Sequence, residues 1–348
     1  MVSETISTNV EVTPMHILQT GLGFWSSKVL LTAVNFKLFT LLAQGHKTAD
    51  ELRTALNLQQ RGLTDFLDAL VAMNFLEREG NGARAQYFNT QESDTFLDKN
   101  KPSYVGGILE MANNRLYPFW SHLDEALQTG MPQNEVKSGG KSLFETLYDD
   151  EQKLEEFVAA MGGIQAGNFN AFASQFNFSG FETHCDVGGA GADLSIHIAL
   201  HNPAVHSISW DLPRVAPIAN RNIERFKVQD RVVTQSGDFF KDEFPKADII
   251  TMGNILHDWD LEQKKMLIQK AYKALSKGGA LVAIENVIDD ERRQNAFGLL
   301  MSLNMLIETH GGFDYTAADF TSWAKDAGFT RVDIMHLTGP SSAVIAYK

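Results

Sequence analysis

Cysteine is nearly absent from this chain of 348 residues. Cys185 stands alone, which excludes an intrachain disulfide and a cysteine-rich metal site. Long apolar runs are missing as well. No stretch of about 18 apolar residues occurs, so no helix is expected to span a membrane. Met1-Val2-Ser3-Glu4-Thr5 has no basic region and no apolar core behind it, and a cytoplasmic location is the expectation. Positive charge is in short supply: 30 Lys and Arg stand against 43 Asp and Glu, a formal net charge of −13. Such a chain repels phosphate backbones, so no nucleic-acid partner is expected, nor a membrane one. The ten histidines are scattered, with just His197 and His201 sharing an i, i+4 spacing.

What is present is an ordinary globular composition, 44% apolar and 21% charged, at a length that allows two or three domains. Residues 1–100 read as one of them. Apolar residues recur at helical spacing from 13 to 44, through Ile17, Leu18, Leu22, Trp25, Val29, Leu30, Val34, Leu38 and Leu41. Thr48, with Glu51 three residues on, is a capping box that opens a short helix. Another helix is predicted over 61–75, and a hairpin over 75–88 across Gly80-Asn81-Gly82. This is a winged-helix pattern. Its recognition-helix candidate, residues 59–68, carries one Arg against two Asp, too little positive charge to read DNA. The apolar surface of the helices before it favours a dimer-forming role.

Residues 101–180 read as helical and rich in aromatics: Tyr104, Tyr117, Phe119, Trp120, Phe144, Tyr148, Phe157, Phe169, Phe172 and Phe176. Such a stripe is core, or the wall of a pocket for a flat apolar substrate. Residues 132–141 read as a loop. Over 181–348 the rhythm becomes short strand, helix, short strand. Strands are predicted over 184–187, 207–210, 232–236, 249–252, 280–287, 332–336 and 343–347. Alternation through the first five argues a doubly wound α/β domain with a mostly parallel sheet, and the last two read as a hairpin through Gly339-Pro340-Ser341-Ser342.

The first of these strands runs into Cys185-Asp186-Val187-Gly188-Gly189-Ala190-Gly191-Ala192-Asp193. A dinucleotide fingerprint starting at Gly189 needs Gly or Ala at 194, where Leu194 stands, and the frame from Gly188 fails at Ala190. Asp186 would repel a pyrophosphate and suits a cationic ligand instead. The second strand ends at Asp211-Leu212-Pro213, and an acid there can accept from ribose hydroxyls. The third ends at Gly237-Asp238-Phe239-Phe240, where Asp238 can take an adenine amino group and Phe239 can pack on its ring.

With Ile255-Leu256-His257-Asp258-Trp259, Ala283-Ile284-Glu285, and Gly311-Gly312 before Asp314-Tyr315-Thr316, the chain resembles the S-adenosylmethionine-dependent O-methyltransferases of the caffeic acid and hydroxyindole type, bacterial relatives included. The resemblance covers nearly the whole chain. It implies a winged-helix dimerisation domain followed by a Rossmann-like doubly wound catalytic domain, a homodimer, and transfer of a methyl group to a hydroxyl of an aromatic or polyketide-like acceptor. By motif, the cofactor falls to Asp186, Gly188, Gly189, Asp211, Leu212, Asp238, Phe239 and Asn254.

His257 would be the general base, because a phenol near pKa 10 is a poor nucleophile at neutral pH without help. The resemblance sets Glu285 and Asp314 beside it. Asp314 departs from the plant relatives, which carry glutamate there, and the shorter side chain is expected to reach less well. Gly253, with Asn254 beside it, stands where plant relatives have a cofactor-binding lysine. Met161 and Met305 match acceptor-wall positions, and Asp258 is grouped with them rather than with proton transfer. No metal is implied. Alternatives are N- or C-methylation, a drifted decarboxylase or hydroxylase, a winged-helix regulator, and an NAD-dependent dehydrogenase.

Overall fold

A computed structural model describes residues 12–140 and 150–348; Met1–Thr5, Lys141, Phe144 and Tyr148 lie outside the described residues. The chain divides into two compact units, at Asn113.

In the first unit the helical periodicity over 13–44 is realised in three pieces, α1 (Met15–Gly21), α2 (Gly23–Asn35) and α3 (Leu38–Leu42). The break before α3 falls at Lys37, whose φ of 57° is left-handed and cannot continue a helix. Strand β1 (Lys47–Thr48) leads into α4 (Ala49–Ala55), and Thr48 and Glu51 form the expected capping box. The next helix, α5 (Leu63–Ala72), is shorter than the 61–75 predicted, because Gly62 at φ 81° starts it and Met73 ends it. The wing follows as β2 (Leu76–Glu79) and β3 (Gln86–Asn89), paired antiparallel, with β1 on the other side of β3. Asp68, in the candidate recognition helix, accepts from Arg78 at 2.7 Å and from the Tyr87 hydroxyl at 2.9 Å. It fastens the wing to α5. Helices α6 (Gln91–Phe96) and α7 (Gly106–Met111) complete this unit.

The second unit opens with short helices α8 (Tyr117–Trp120) and α9 (Leu123–Thr129), and a 3-10 turn at Glu135–Ser138 interrupts the predicted loop. The long helix α10 (Glu151–Gln175) then precedes the sheet. In chain order come β4 (Thr183–Val187), α11 (Asp193–His201), β5 (His206–Asp211), α12 (Ala216–Phe226), β6 (Val232–Ser236), β7 (Ala247–Gly253), α13 (Leu261–Ala274), β8 (Leu275–Glu285), α14 (Ala296–Glu308), α15 (Ala317–Ala327), β9 (Arg331–His336) and β10 (Ser342–Tyr347). Strand β8 starts five residues before the predicted 280–287 and stops two short of its end. Leu275 pairs with Ala247, and a register shift follows through the glycine pair Gly278-Gly279.

The seven strands lie in the order β6-β5-β4-β7-β8-β10-β9. The first five are parallel, while β10 runs antiparallel to both β8 and β9, as the hairpin predicts. Both faces are buried, and alternate residues serve alternate faces. Ile250, Met252, Leu281, Ala283 and Val344 pack on α13 and α15. Ile249, Val282, Ile284 and Ile345 pack on α10 and α11. Strand order reverses between β4 and β7, and in open α/β sheets the crevice outside the carboxyl ends at such a point is where ligands bind.

Candidate active site

The β4 turn brings the first acids together. Gly188 has φ 76°, which strains any side chain, and a side chain on Gly189 would crowd Ser209 Oγ at 2.4 Å and the Asp186 carbonyl at 3.2 Å, so glycine is favoured at both. Ala190 and Ala192 hold left-handed φ values of 43° and 63°, which a β-carbon disfavours. Asp211, at the end of β5, accepts from the Ala190 backbone N–H at 2.9 Å and the Leu212 N–H at 2.6 Å, tying the turn to its neighbour strand. Asp186 is buried, and burial pushes its carboxyl up to about 7. The charges acting on it, from Asp211 and Asp193, are themselves acidic. A buried pair of acids at a switch point is short of positive charge and fits a cationic ligand.

Asp186 is also held from behind. The Thr251 hydroxyl donates to Asp186 Oδ1 at 2.6 Å, and His184, fully buried, sits between Thr251 Oγ1 at 2.8 Å and Ser207 Oγ at 3.0 Å. With Asp186 ionised, Thr251 must accept from His184 Nε2–H, and Nδ1 accepts from Ser207. Burial keeps this imidazole neutral, down to about 3. Asp238 accepts from the Phe240 N–H at 2.9 Å and pairs with Lys241 at 2.7 Å. Phe239 packs edge-on to Trp259 with centroids 5.6 Å apart. Asn254 follows β7 in a left-handed conformation, φ 52°, its N–H donating to the Ile284 carbonyl. A side chain on Gly253 would meet the Phe169 ring of α10 at 3.3 Å.

Beside this group, a 3-10 turn (Leu256–Asp258) carries His257. The turn exists because Glu285, ending β8, accepts from the backbone N–H groups of Leu256 at 3.0 Å and His257 at 3.3 Å through Oε1. His257 Nδ1 lies 3.5 Å from Glu285 Oε2 and 3.4 Å from Asp314 Oδ1, so the shorter acid does reach the ring. On the other side of the ring, Nε2 is 3.6 Å from Asp258 Oδ1. His257 does not cap the following helix; Asp260 does, in a capping box with Gln263. Burial disfavours a charged His257 ring, but Glu285, Asp258 and Asp314 outweigh it and push the imidazole up to about 10. Burial moves Glu285 the other way, up to about 7. The donor atoms of His257, Glu285 and Asp314 lie within 4.8 Å of one another, a spacing a cation tolerates, although two N–H groups already occupy Glu285 Oε1.

Helix α14, which carries Met305, packs against this turn, and its Ser302 accepts from the Asp314 N–H at 3.1 Å. Met305 is buried. Met161 is half-buried on α10, beside Gly162, where a side chain would meet Asp193 of the glycine turn.

Two groups escape a reading of motifs. His184 and Thr251 are ordinary strand residues in sequence. Lys264 looks like part of a solvated Lys264-Lys265 pair, yet it is fully buried. Its Nζ donates to the Trp259 carbonyl and stands 3.5 Å from the Phe313 ring centroid. The signal was its helical phase, since 264, 267, 268 and 271 form one buried stripe.

A parallel sheet reversing at β4, a glycine turn with acids at successive strand ends, and a histidine set among carboxylates define a Rossmann-like methyltransferase. Family comparison agrees. An O-methyltransferase domain matches residues 120–330, and an O-methyltransferase dimerisation domain matches 18–99. The tetracenomycin polyketide synthesis 8-O-methyl transferase TcmO of Streptomyces glaucescens is 37% identical over 335 residues, 96% of this chain and 97% of that one. The N,N-dimethyltransferase OxyT of Streptomyces rimosus is 29% identical over 90% of each chain. Human N-acetylserotonin methyltransferase, solved in complex with SAM, superposes with a TM-score of 0.89 at 28% identity, covering 98% of this chain and 99% of that one. The chain belongs to the O-methyltransferase family and is an S-adenosylmethionine-dependent enzyme with that family's dimerisation domain. Among the described residues, no helix is long and apolar enough to cross a membrane.

Proposed function

We propose that the enzyme methylates a phenolic hydroxyl of an aromatic, polyketide-like small molecule, with His257 as the general base. One observation carries this: a buried imidazole ringed by Glu285, Asp314 and Asp258, next to a cluster of uncompensated acids at the sheet's switch point. The naming of TcmO for a polyketide 8-O-methylation supports the acceptor class.

S-adenosylmethionine, when bound, would supply a methyl group already activated on a sulfonium, its carbon–sulfur bond breaking as the acceptor oxygen bonds to the methyl and S-adenosylhomocysteine leaves. Asp186, Gly188, Gly189, Asp211, Leu212, Asp238, Phe239 and Asn254 would hold it, the acids matching its amino group, ribose and adenine. His257 takes the phenolic proton, and Glu285 and Asp314 favour the imidazolium that results. Those same acids hold a resting ring too basic to act freely at neutral pH. A sulfonium held by Asp186 would oppose the imidazolium and favour the neutral ring. Met161 and Met305 would wall an adaptable apolar pocket, with Asp258 at its polar edge. The working unit is a cytoplasmic homodimer, formed through the exposed apolar residues Ile17 and Leu18 of α1, Phe24 and Trp25 of α2, and Leu22 between them.

A second reading, methylation of an amine, rests on the likeness to OxyT. Incubation with S-adenosylmethionine and a panel of aromatic polyketide phenols and amines separates them. Products one methyl heavier, with the new methyl on oxygen by NMR, support the first reading; products methylated on nitrogen alone reject it.

A further inference from the structure

Aliphatic side chains fill most of the buried sheet, but a row of polar ones crosses β5, β4 and β7. His184 and Asp186 are two residues apart on β4, so they share a face. Ser207 on β5 stands opposite His184, and Thr251 on β7 stands opposite Asp186. All four are buried. Ser207 Oγ lies 3.0 Å from His184 Nδ1, His184 Nε2 lies 2.8 Å from Thr251 Oγ1, and Thr251 Oγ1 lies 2.6 Å from Asp186 Oδ1. The threonine hydroxyl has one proton. Given to an ionised Asp186, which can only accept, it leaves the oxygen to accept in turn, so His184 Nε2 must carry a proton. A neutral ring then has a bare Nδ1, which accepts from Ser207. The whole row is thereby aligned toward Asp186 Oδ1. The other carboxylate oxygen, Oδ2, lies under the glycine turn, 3.3 Å from where a β-carbon on Gly189 would stand. The charges acting on Asp186, those of Asp211 and Asp193, oppose its ionisation. Apolar side chains at 184 and 251 would pack in the same sheet without burying polar groups, so the row demands a reason.

We infer that His184 and Thr251 are positioning residues for the cofactor: the neutral imidazole holds the Thr251 hydroxyl on Asp186 Oδ1, which fixes the carboxylate, ionised, for the cationic methionine end of S-adenosylmethionine. This rests on Asp186 being an acid of the cofactor site. Both residues act through Asp186 from within the sheet. Burial pushes the His184 ring down to about 3, so it stays neutral where the enzyme works and the alignment persists.

The test joins tautomer to affinity in the full-length enzyme. In NMR of nitrogen-labelled histidine at pH 8 with S-adenosylmethionine bound, the ring signals that disappear in His184→Leu should show Nε2 protonated and Nδ1 bare. The opposite tautomer commits the Thr251 proton to His184 and overturns the inference, whichever variants fold. Calorimetric titration with S-adenosylmethionine then compares Thr251→Val, Thr251→Ser, His184→Leu and the double variant His184→Leu with Thr251→Val, thermal unfolding showing which are folded. Valine keeps the shape of threonine without the hydroxyl, and Thr251→Val should weaken binding about tenfold or more. Thr251→Ser keeps the hydroxyl and should bind within about twofold of wild type. His184→Leu should weaken binding about fivefold alone and add nothing on top of Thr251→Val, because it acts through that hydroxyl. The KM for S-adenosylmethionine should follow, with the acceptor KM within about twofold. A folded Thr251→Val that binds like wild type, or losses that multiply in the double variant, overturn the inference. Asp186→Asn separates the row from the reading beneath it. Weakened binding there with full affinity in Thr251→Val removes the role of the row alone, whereas full affinity in Asp186→Asn overturns the assignment of Asp186 and the inference with it.

Discussion

Glu285 holds His257 twice: Oε1 accepts its backbone N–H at 3.3 Å, and Oε2 stands 3.5 Å from Nδ1 of its ring. One carboxylate therefore shapes the turn and faces the base. Glu285→Gln keeps an acceptor for the two backbone N–H groups and loses the charge, so kcat should fall about 10²–10³-fold with little change in stability. Glu285→Ala also strands those N–H groups in the interior and should destabilise the fold by about 2–4 kcal/mol. Steady-state kinetics and denaturant unfolding check both; equal stability losses in the two variants would remove the backbone role.

Asp186 is predicted to weaken the ligand-free fold for the sake of its ligand. Its folded pKa, about 7, lies above the ordinary aspartate value, so stability present at low pH is lost as pH rises from about 4 through 7. Asp186→Asn retains an oxygen for the Thr251 hydroxyl and removes the buried charge. At pH 8 the ligand-free variant should be more stable than wild type by about 1–4 kcal/mol, while binding S-adenosylmethionine at least tenfold more weakly. Differential scanning fluorimetry and calorimetric titration read the two effects. A variant that gains no stability, or binds as tightly, contradicts the assignment.

His257 gives a second and separate pH window. Its folded pKa is raised to about 10, so its contribution to stability is fully present below about 6.5 and is lost as pH climbs through 10. Turnover needs the neutral ring and should rise over part of that range. Ligand-free stability and activity are thus expected to run in opposite directions above pH 7. Urea unfolding at pH 7, 8, 9 and 10 tests this, with His257→Gln expected to lose the part of the slope that wild type shows. An unchanged slope in the variant assigns the pH dependence to other groups.

Arg115 bridges two segments of the catalytic unit. It meets Glu135 through paired contacts of 2.7 Å and Glu308, near the end of α14, at 2.6 Å. The Glu308 side chain is 6% exposed, so losing Arg115 leaves a buried carboxylate unpaired. Arg115→Met should destabilise by about 3–5 kcal/mol, and adding Glu308→Gln should recover part of it. A double-mutant cycle in denaturant measures the coupling; strictly additive losses would show that the pair does not interact.

The strands and the glycine turn were legible in sequence because each depends on local chemistry, apolar alternation and a backbone turn, whereas Glu285 and Asp314 were set beside His257 by the family resemblance alone. The early start of β8 was not legible, because Lys277-Gly278-Gly279 has no strand pattern and is recruited by its neighbour β7. Lys264 was hidden by a residue-type expectation, since lysine reads as solvated even where its helical phase is buried. His184 was hidden because a hydrogen-bond chain across three strands leaves no spacing in the sequence. Asp68 looked like one of the charges that spoil a DNA-reading helix; its tie to Arg78 and Tyr87 is visible only once the wing has folded.

The most direct test of the account is single-turnover methylation of a phenolic acceptor by His257→Ala at saturating S-adenosylmethionine. Across pH 6 to 9, the predicted result is a rate about 10²–10⁴-fold below wild type at pH 7, with cofactor affinity held and the deficit shrinking for acceptors already ionised as phenolates. A variant that turns over a neutral phenol at the wild-type rate would contradict it.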